Sequence, residues 1–207
     1  MTTSPPFLTG IKPDDQRPEH PDFWCKRFHA GTTPWDAGKA PREFIEFIGR
    51  HPGPLTTLIP GCGSGWEAGI LAELGWPVTA LDFSPAAVER AREILGEAAV
   101  DLVCDDFFTW APSRPLDLIY ERAFLCALPR KMWDDWGKRV AGLLPSGALL
   151  AGFFFVCDQL KGPPFGISQD QLDHLLSPNF ECIEDVAAIE SIPVFAERER
   201  WQVWRRR

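Results

Sequence analysis

From Leu55 onward the chain alternates short apolar runs with amphipathic stretches of helical period. "LTTLIP" is an apolar run that ends at glycines and reads as a strand, and "WEAGILAELG" reads as a helix stopping at Gly75. "PVTALD" is the next strand, followed by "SPAAVERAREILG" with Ser84 as N-cap, Pro85 in the first turn and Val88, Ala91 and Leu95 on one stripe. "VDLVC" and "LDLIYE" predict two more strands, and "RKMWDDWGKRVAGLL" predicts a helix with Trp133, Trp136, Val140 and Leu144 facing inward. "GALLAGFFFV" suits a long buried strand and "SQDQLDHLL" a short helix, while "FECIEDVAAIE" and "ERWQVWRR" suit a closing antiparallel pair.

Upstream the pattern fades. The first ~20 residues are rich in proline and polar side chains and predict an irregular arm. "FWCKRFHAGTTPWDAGKAPREF" follows with no clear period, and Pro41 then starts a helix carrying Phe44, Ile45 and Ile48 on one face. Repeated strand–helix units with nearly continuous apolar strands predict an α/β fold, a parallel sheet covered on both faces. With 207 residues, no repeats and no internal linker, one domain over 1–207 is expected, with 1–40 as an arm.

Composition narrows the partners. The balance of 45% apolar and 24% charged residues is that of an ordinary globular protein, and a net charge of −8 argues against nucleic acid or an anionic membrane surface. The longest apolar candidate, 148–157, is too short for a membrane span. "MTTSPPFLTGIKPDDQRPEHPDFW" has no basic-then-apolar signal pattern, which predicts a cytoplasmic protein. The six cysteines are scattered, mostly in apolar runs, and read as reduced core residues. His20, His29, His51 and His174 lie apart without ligand spacing, so no metal site is expected.

The candidate chemistry lies in "LIPGCGSGWEAGILAELGWPVTALDFSP". Gly61, Gly63 and Gly65 stand between a strand and a helix, where bare backbone lets a ligand approach closely and the helix start offers free N–H groups. Asp82 ends the next strand, a place from which a carboxylate accepts both hydroxyls of a ribose. A nicotinamide dinucleotide and S-adenosylmethionine both meet these terms, whereas a bland reading makes the glycines a tight turn and Asp82 a cap for the following helix. Two details favour S-adenosylmethionine. Trp66 stands where the dinucleotide fingerprint has glycine or alanine, and "CDDFF" at the third strand end offers Asp105 or Asp106 to an adenine amine and Phe107 to its ring.

"FWCKRFHAGTTPWDAG", "IPGCGSG", "ALDFSP", "CDDFFTW", "LIYERAFLCAL", "GPPFGIS" and "SIP" together resemble the thiopurine S-methyltransferase family, including its thiol and halide methyltransferase branch, from about Phe23 to the carboxyl terminus. The resemblance implies a class I methyltransferase (Rossmann-like) fold, a mostly parallel seven-stranded sheet whose last strands are antiparallel, with S-adenosylmethionine as methyl donor. Its cofactor contacts would fall on Trp24, Phe28 and Trp35, on Gly61 with Cys62 and Gly63, on Asp82 with Phe83, on Asp106 with Phe107, and on Arg122. Phe28 stands where the halide branch has a tryptophan. Arg122 stands where that branch has an aromatic and thiopurine enzymes have arginine.

Methyl transfer to a soft nucleophile (a thiol, hydrosulfide, thiopurine or halide) is an in-line displacement that needs positioning and little base catalysis. Trp24, Phe28 and Trp35 suit a sulfonium by cation–π contact, or simply cover the sheet edge. Arg122 is the one cation placed at the site, to orient the cofactor or an anionic acceptor, the plain alternative being a surface pair with Glu121 or Asp117. "GPPFG" and "SIPVFAERERW" are expected to form loops on the acceptor side, with Phe165, Phe195 and Arg198 as wall candidates. Cys62 and Cys126 are not assigned a covalent role. The rival readings are a nicotinamide-linked oxidoreductase and a non-catalytic S-adenosylmethionine-binding protein.

Overall fold

A computed structural model describes residues 12–195 and 197–207, so the first eleven residues of the expected irregular arm lie outside the described residues. Seven strands form one sheet: β1 (Thr57–Pro60), β2 (Val78–Asp82), β3 (Asp101–Cys104), β4 (Leu118–Arg122), β5 (Leu149–Phe155), β6 (Phe180–Ala187) and β7 (Glu199–Arg206). Their order is β3-β2-β1-β4-β5-β7-β6. β1 pairs in parallel with β2 (Thr57 opposite Val78) and with β4 (Thr57 opposite Leu118). β7 alone runs against the others, inserted between β5 and β6 and antiparallel to both. The closing antiparallel pair is as expected. The insertion adds a position that strand-by-strand reading does not report.

The helices are α1 (Pro21–His29), α2 (Arg42–Arg50), α3 (Trp66–Glu73), α4 (Pro85–Leu95), α5 (Trp133–Leu143) and α6 (Gln169–Leu176). Ser84 caps α4, its hydroxyl accepting from the Ala87 amide at 3.3 Å, with Pro85 in the first turn. α6 opens with a capping box between Ser168 and Gln171. In α2 the buried stripe is Phe44, Phe47 and Ile48, while Ile45 is 43% exposed. That corrects the expected face: Phe47, three residues after Phe44, takes the inward position.

The arm is also more regular than its lack of period predicts, because α1 occupies its middle. Pro21 opens that helix, Asp22 sits in its first turn, and Lys26, Arg27 and His29 lie in its last, all favourable to the helix dipole.

Alternate strand residues feed two apolar cores. Ile59, Ala80, Tyr120, Phe153 and Trp201 pack with Phe44 and Phe47 of α2 and Leu71 of α3. Leu58, Leu81, Ile119, Phe154 and Trp204 pack with Trp133, Trp136 and Val140 of α5 and Leu172 of α6. Helices therefore cover both faces. The strand order reverses about β1, which has β2 on one side and β4 on the other, and such a reversal opens a crevice beyond the strand ends. Gly61, Asp82 and Arg122 all stand at that edge.

Candidate active site at the carboxyl ends of β1, β2 and β4

The chain leaves β1 through Gly61 (φ 61°), Gly63 (φ 53°) and Gly65 (φ 76°), a left-handed sequence that only glycine adopts without strain. Gly65 is also the N-cap of α3, so the helix begins with no side chain of its own across its first amides. A Cβ on Gly61 would lie 2.5 Å from Phe124 Cδ2, which shows how closely the segment after β4 presses on this turn.

Asp82 is bound to the turn from β2. Its Oδ2 accepts from the Gly63 amide at 3.1 Å and its Oδ1 from the Ser84 amide at 2.9 Å. Burial raises its carboxyl to about 6, and those two N–H groups hold it down against that rise. The bond to Ser84 is the helix-cap contact of the bland reading. It uses one lone pair and leaves the carboxylate capacity for further donors.

A cavity of about 240 Å³ lies over this edge, lined from the sheet side by Gly61, Cys62, Gly63, Asp82, Phe83 and Arg122. The arm lines it from the other side with Trp24, Phe28, Trp35 and Asp36. Trp35 meets Trp24 edge-on at 5.3 Å and Phe28 at 6.0 Å, and the Trp24 indole donates to the Pro18 carbonyl at 2.8 Å. α1 packs on α4, where Cys25 Sγ lies 3.2 Å from Ser84 Oγ. A smaller cavity shares Gly61, Asp82, Phe83 and Phe124 with the first and adds Asp105, Asp106 and Phe107.

Arg122 is neither exposed nor paired with Glu121 or Asp117. Its side chain is 11% exposed, its Nε stands 3.9 Å from Glu67 Oε1, and its guanidinium lies 4.7 Å from the Phe153 ring centre. Burial works against its charge, but Tyr120, Glu67 and Glu199 more than offset that and raise its pKa. Glu67 is itself raised by burial, and accepts from the Tyr120 hydroxyl at 3.3 Å. Arg122 Nη1 is buried without a hydrogen-bond partner among the described residues. Glu121 points elsewhere: its Oε1 accepts the amides of Phe124 and Leu125, both at 3.0 Å, fixing the segment that follows β4.

The remaining predicted residues divide. Phe195, 2% exposed, lines the large cavity with Cys126, Pro163, Pro164 and Val194. Phe165 and Arg198 do not line it. Phe165 donates its amide to the Cys126 carbonyl at 2.7 Å. Arg198 donates to Gln159 Oε1 at 3.0 Å, and Gln159 Nε2 donates to the Pro164 carbonyl at 2.8 Å. Both brace the loop whose prolines form the wall, because a long arginine and a loop amide find acceptors at Gln159 and Cys126 there. Asp106 turns back on its own segment, accepting from the Phe108 amide at 2.9 Å. Phe107 is 4% exposed and meets Phe124 edge-on at 5.2 Å. Burial pushes the Cys62 and Cys126 thiols well above their usual range, which leaves neither as a ready nucleophile. Among the described residues no group of three or more His, Cys, Asp or Glu could hold a metal ion.

Comparison with known proteins assigns this architecture. The thiopurine S-methyltransferase (TPMT) family model matches residues 19–207. A probable thiol methyltransferase 2 of Arabidopsis thaliana is 33% identical over 172 residues, covering 79% of this chain and 75% of that one. Thiocyanate methyltransferase 1 of the same plant is 30% identical over 190 residues, covering 88% and 84%. Among solved structures, magnesium protoporphyrin IX methyltransferase from Synechocystis PCC 6803 with bound SAM superposes with a TM-score of 0.72 at 14% identity, covering 97% of this chain and all of that one, a likeness of fold. With residues 19–207 matched by the family model and relatives 30% or more identical over most of the chain, this chain belongs to the thiopurine S-methyltransferase family, enzymes that take their methyl group from S-adenosylmethionine.

Proposed function

We propose that the cavity binds S-adenosylmethionine and that the protein transfers its methyl group to a small soft acceptor, a thiol, hydrosulfide, thiopurine, thiocyanate or halide, by direct displacement. The observation that carries this reading is Asp82, a buried carboxylate tied to Gly63 and Ser84 beside bare glycine backbone and under an aromatic roof. The fit is chemical. Asp82 has acceptor capacity left for ribose hydroxyls, the bare backbone from Gly61 to Gly65 lets the polar tail approach closely, and Trp24, Phe28 and Trp35 suit a cation. The smaller cavity at Asp105, Asp106 and Phe107 suits the adenine.

When bound, S-adenosylmethionine supplies an electrophilic methyl on a cationic sulfur. The chain's own residues do the rest. Asp82 and the glycine turn fix the nucleoside, and residues 18–39 exclude water from above. The wall of Cys126, Pro163, Val194 and Phe195 confines the acceptor to an apolar recess beside Arg122. No histidine lines the cavity among the described residues, which suits an acceptor that arrives already anionic or intrinsically nucleophilic. Arg122, buried and fixed on Phe153, gives that recess its positive group. Within the arm expected over 1–40, the described residues 12–40 serve as a lid on a single catalytic domain. Six free cysteines support action in the reducing cytoplasm, and no described helix is long and apolar enough to cross a membrane.

The experiment is a panel of acceptors. Protein is incubated with methyl-labelled S-adenosylmethionine and, separately, hydrosulfide, thiocyanate, an aromatic thiol, a thiopurine and iodide. The expected result is labelled product from at least one sulfur or halide acceptor, abolished by S-adenosylhomocysteine. Absence of product with every one of them contradicts the proposed acceptor class.

A further inference from the structure

Trp66 is a bulky residue at the first position of α3, where a dinucleotide-binding turn has glycine or alanine, and methyl transfer itself gives it no task. Its contacts supply one. The indole Nε1–H donates to Asp36 Oδ1 at 2.8 Å, across 30 residues of sequence. The Ser64 hydroxyl donates to Asp36 Oδ2, and the Gly38 amide donates to Oδ1 at 2.8 Å. One carboxylate of the arm thus gathers two side-chain donors from the glycine turn and one amide from its own segment. Asp36, Ser64 and Trp66 all line the large cavity.

We infer that Asp36 is a positioning residue that latches the arm onto the glycine turn and thereby sets how long the cofactor is retained. The inference rests on the cofactor site proposed above. Trp24, Phe28 and Trp35 belong to the same arm, so a nucleoside-sized ligand beneath them exchanges only when the arm lifts. Three other polar side-chain contacts tie this arm near the cavity. One is the weak thiol contact of Cys25 with Ser84 at 3.2 Å. The others are ion pairs of exposed lysines, Lys39 Nζ with Glu190 Oε2 at 2.9 Å and Lys131 Nζ with Glu19 Oε1 at 2.7 Å, of a kind that contributes little. Hydrogen bonds to a partly buried carboxylate are stronger than any of these.

The latch also bears on ligand class. α3 has no N-cap side chain, and the positive end of its dipole is met by the Asp36 carboxylate from elsewhere in the chain. A phosphate-bearing ligand seeking that helix start meets an anion already in place, whereas a sulfonium gains from it.

The test is the dissociation rate of labelled S-adenosylhomocysteine, chased with unlabelled ligand, from wild type, Asp36→Asn, Trp66→Phe, Ser64→Ala and the Asp36→Asn/Trp66→Phe double variant. Trp66→Phe keeps the bulk and removes only the indole N–H. The expected result is release about tenfold or more faster from Asp36→Asn, the scale of one or two charge-assisted hydrogen bonds. Trp66→Phe and Ser64→Ala give smaller increases, and the double variant is no faster than Asp36→Asn. The acceptor KM at saturating cofactor stays unchanged, which a general loosening of the site would not leave so. Equal release rates, or effects of Asp36→Asn and Trp66→Phe that add in full, overturn the latch. If Asp36→Asn does not fold, Trp66→Phe and Ser64→Ala carry the same comparison. Wild type that binds no S-adenosylhomocysteine instead overturns the cofactor site itself.

Discussion

Asp82 lies 8% exposed at the end of β2, lifted to about 6 by burial and restrained by the amides of Ser84 and Gly63. An unperturbed aspartate ionises near 3.8. Between those values the folded chain holds a proton that the unfolded chain has lost, so Asp82's contribution falls as pH rises through that window and is gone above it. The change is of order 3 kcal/mol. Asp82→Asn removes the titration, and unfolding curves from pH 4 to 7 are expected to show a flatter pH dependence for the variant than for wild type. The ionised form is the better acceptor for ribose hydroxyls, so affinity for S-adenosylhomocysteine in wild type is expected to weaken as pH drops below about 6. An affinity that strengthens on acidification would contradict that role. Asp82 was legible in the sequence because a strand end fixes its place. Asp36, Glu67 and Phe124 were not, since their contacts at the site come from elements that periodicity does not bring together.

At the scale of elements, the turn joining β1 to α3 and the segment after β4 close on each other through Gly61 and Phe124. Gly61→Ala must hold φ near 61° with a Cβ pressed on the Phe124 ring. The expected cost is about 1–3 kcal/mol of stability, read by urea unfolding, together with weaker binding of S-adenosylhomocysteine as Phe124 shifts. Unchanged stability would show that the two segments are less tightly joined than this geometry requires.

The inner strands and α5 were readable because each buries continuous apolar residues: α5 buries Trp133, Trp136 and Val140, and Leu144 is buried at its C-cap, as expected, whereas β3 and β6 are largely exposed. Two features escaped. α1 buries Phe23 alone, so it shows no apolar stripe and announces itself mainly by Pro21 and its terminal charges. The α2 face turned on Phe47 against Ile45, neighbours that a short window separates poorly. On the acceptor side, Phe165 and Arg198 proved to be braces of the Pro163–Pro164 loop, because proximity in sequence says little about which side of a loop meets a cavity.

At the scale of the molecule, two cores flank one sheet and the arm closes the edge where the strand order reverses. The cores hold the strand ends rigid, whereas the arm is held by the latch, a thiol contact, two ion pairs of exposed lysines and the packing of α1 on α4. Cleavage by trypsin after Lys26 or Arg27 is therefore expected to slow several-fold when S-adenosylhomocysteine saturates the protein. Equal cleavage with and without it would mean that the arm does not order over the ligand.

The central claim is that this edge takes an adenosyl sulfonium cofactor rather than a phosphorylated dinucleotide. Calorimetric titration of the full chain with S-adenosylhomocysteine and, separately, with NADH tests it most directly. The expected result is saturable one-to-one binding of S-adenosylhomocysteine and no heat of binding for NADH. Saturable NADH binding without S-adenosylhomocysteine binding would contradict it.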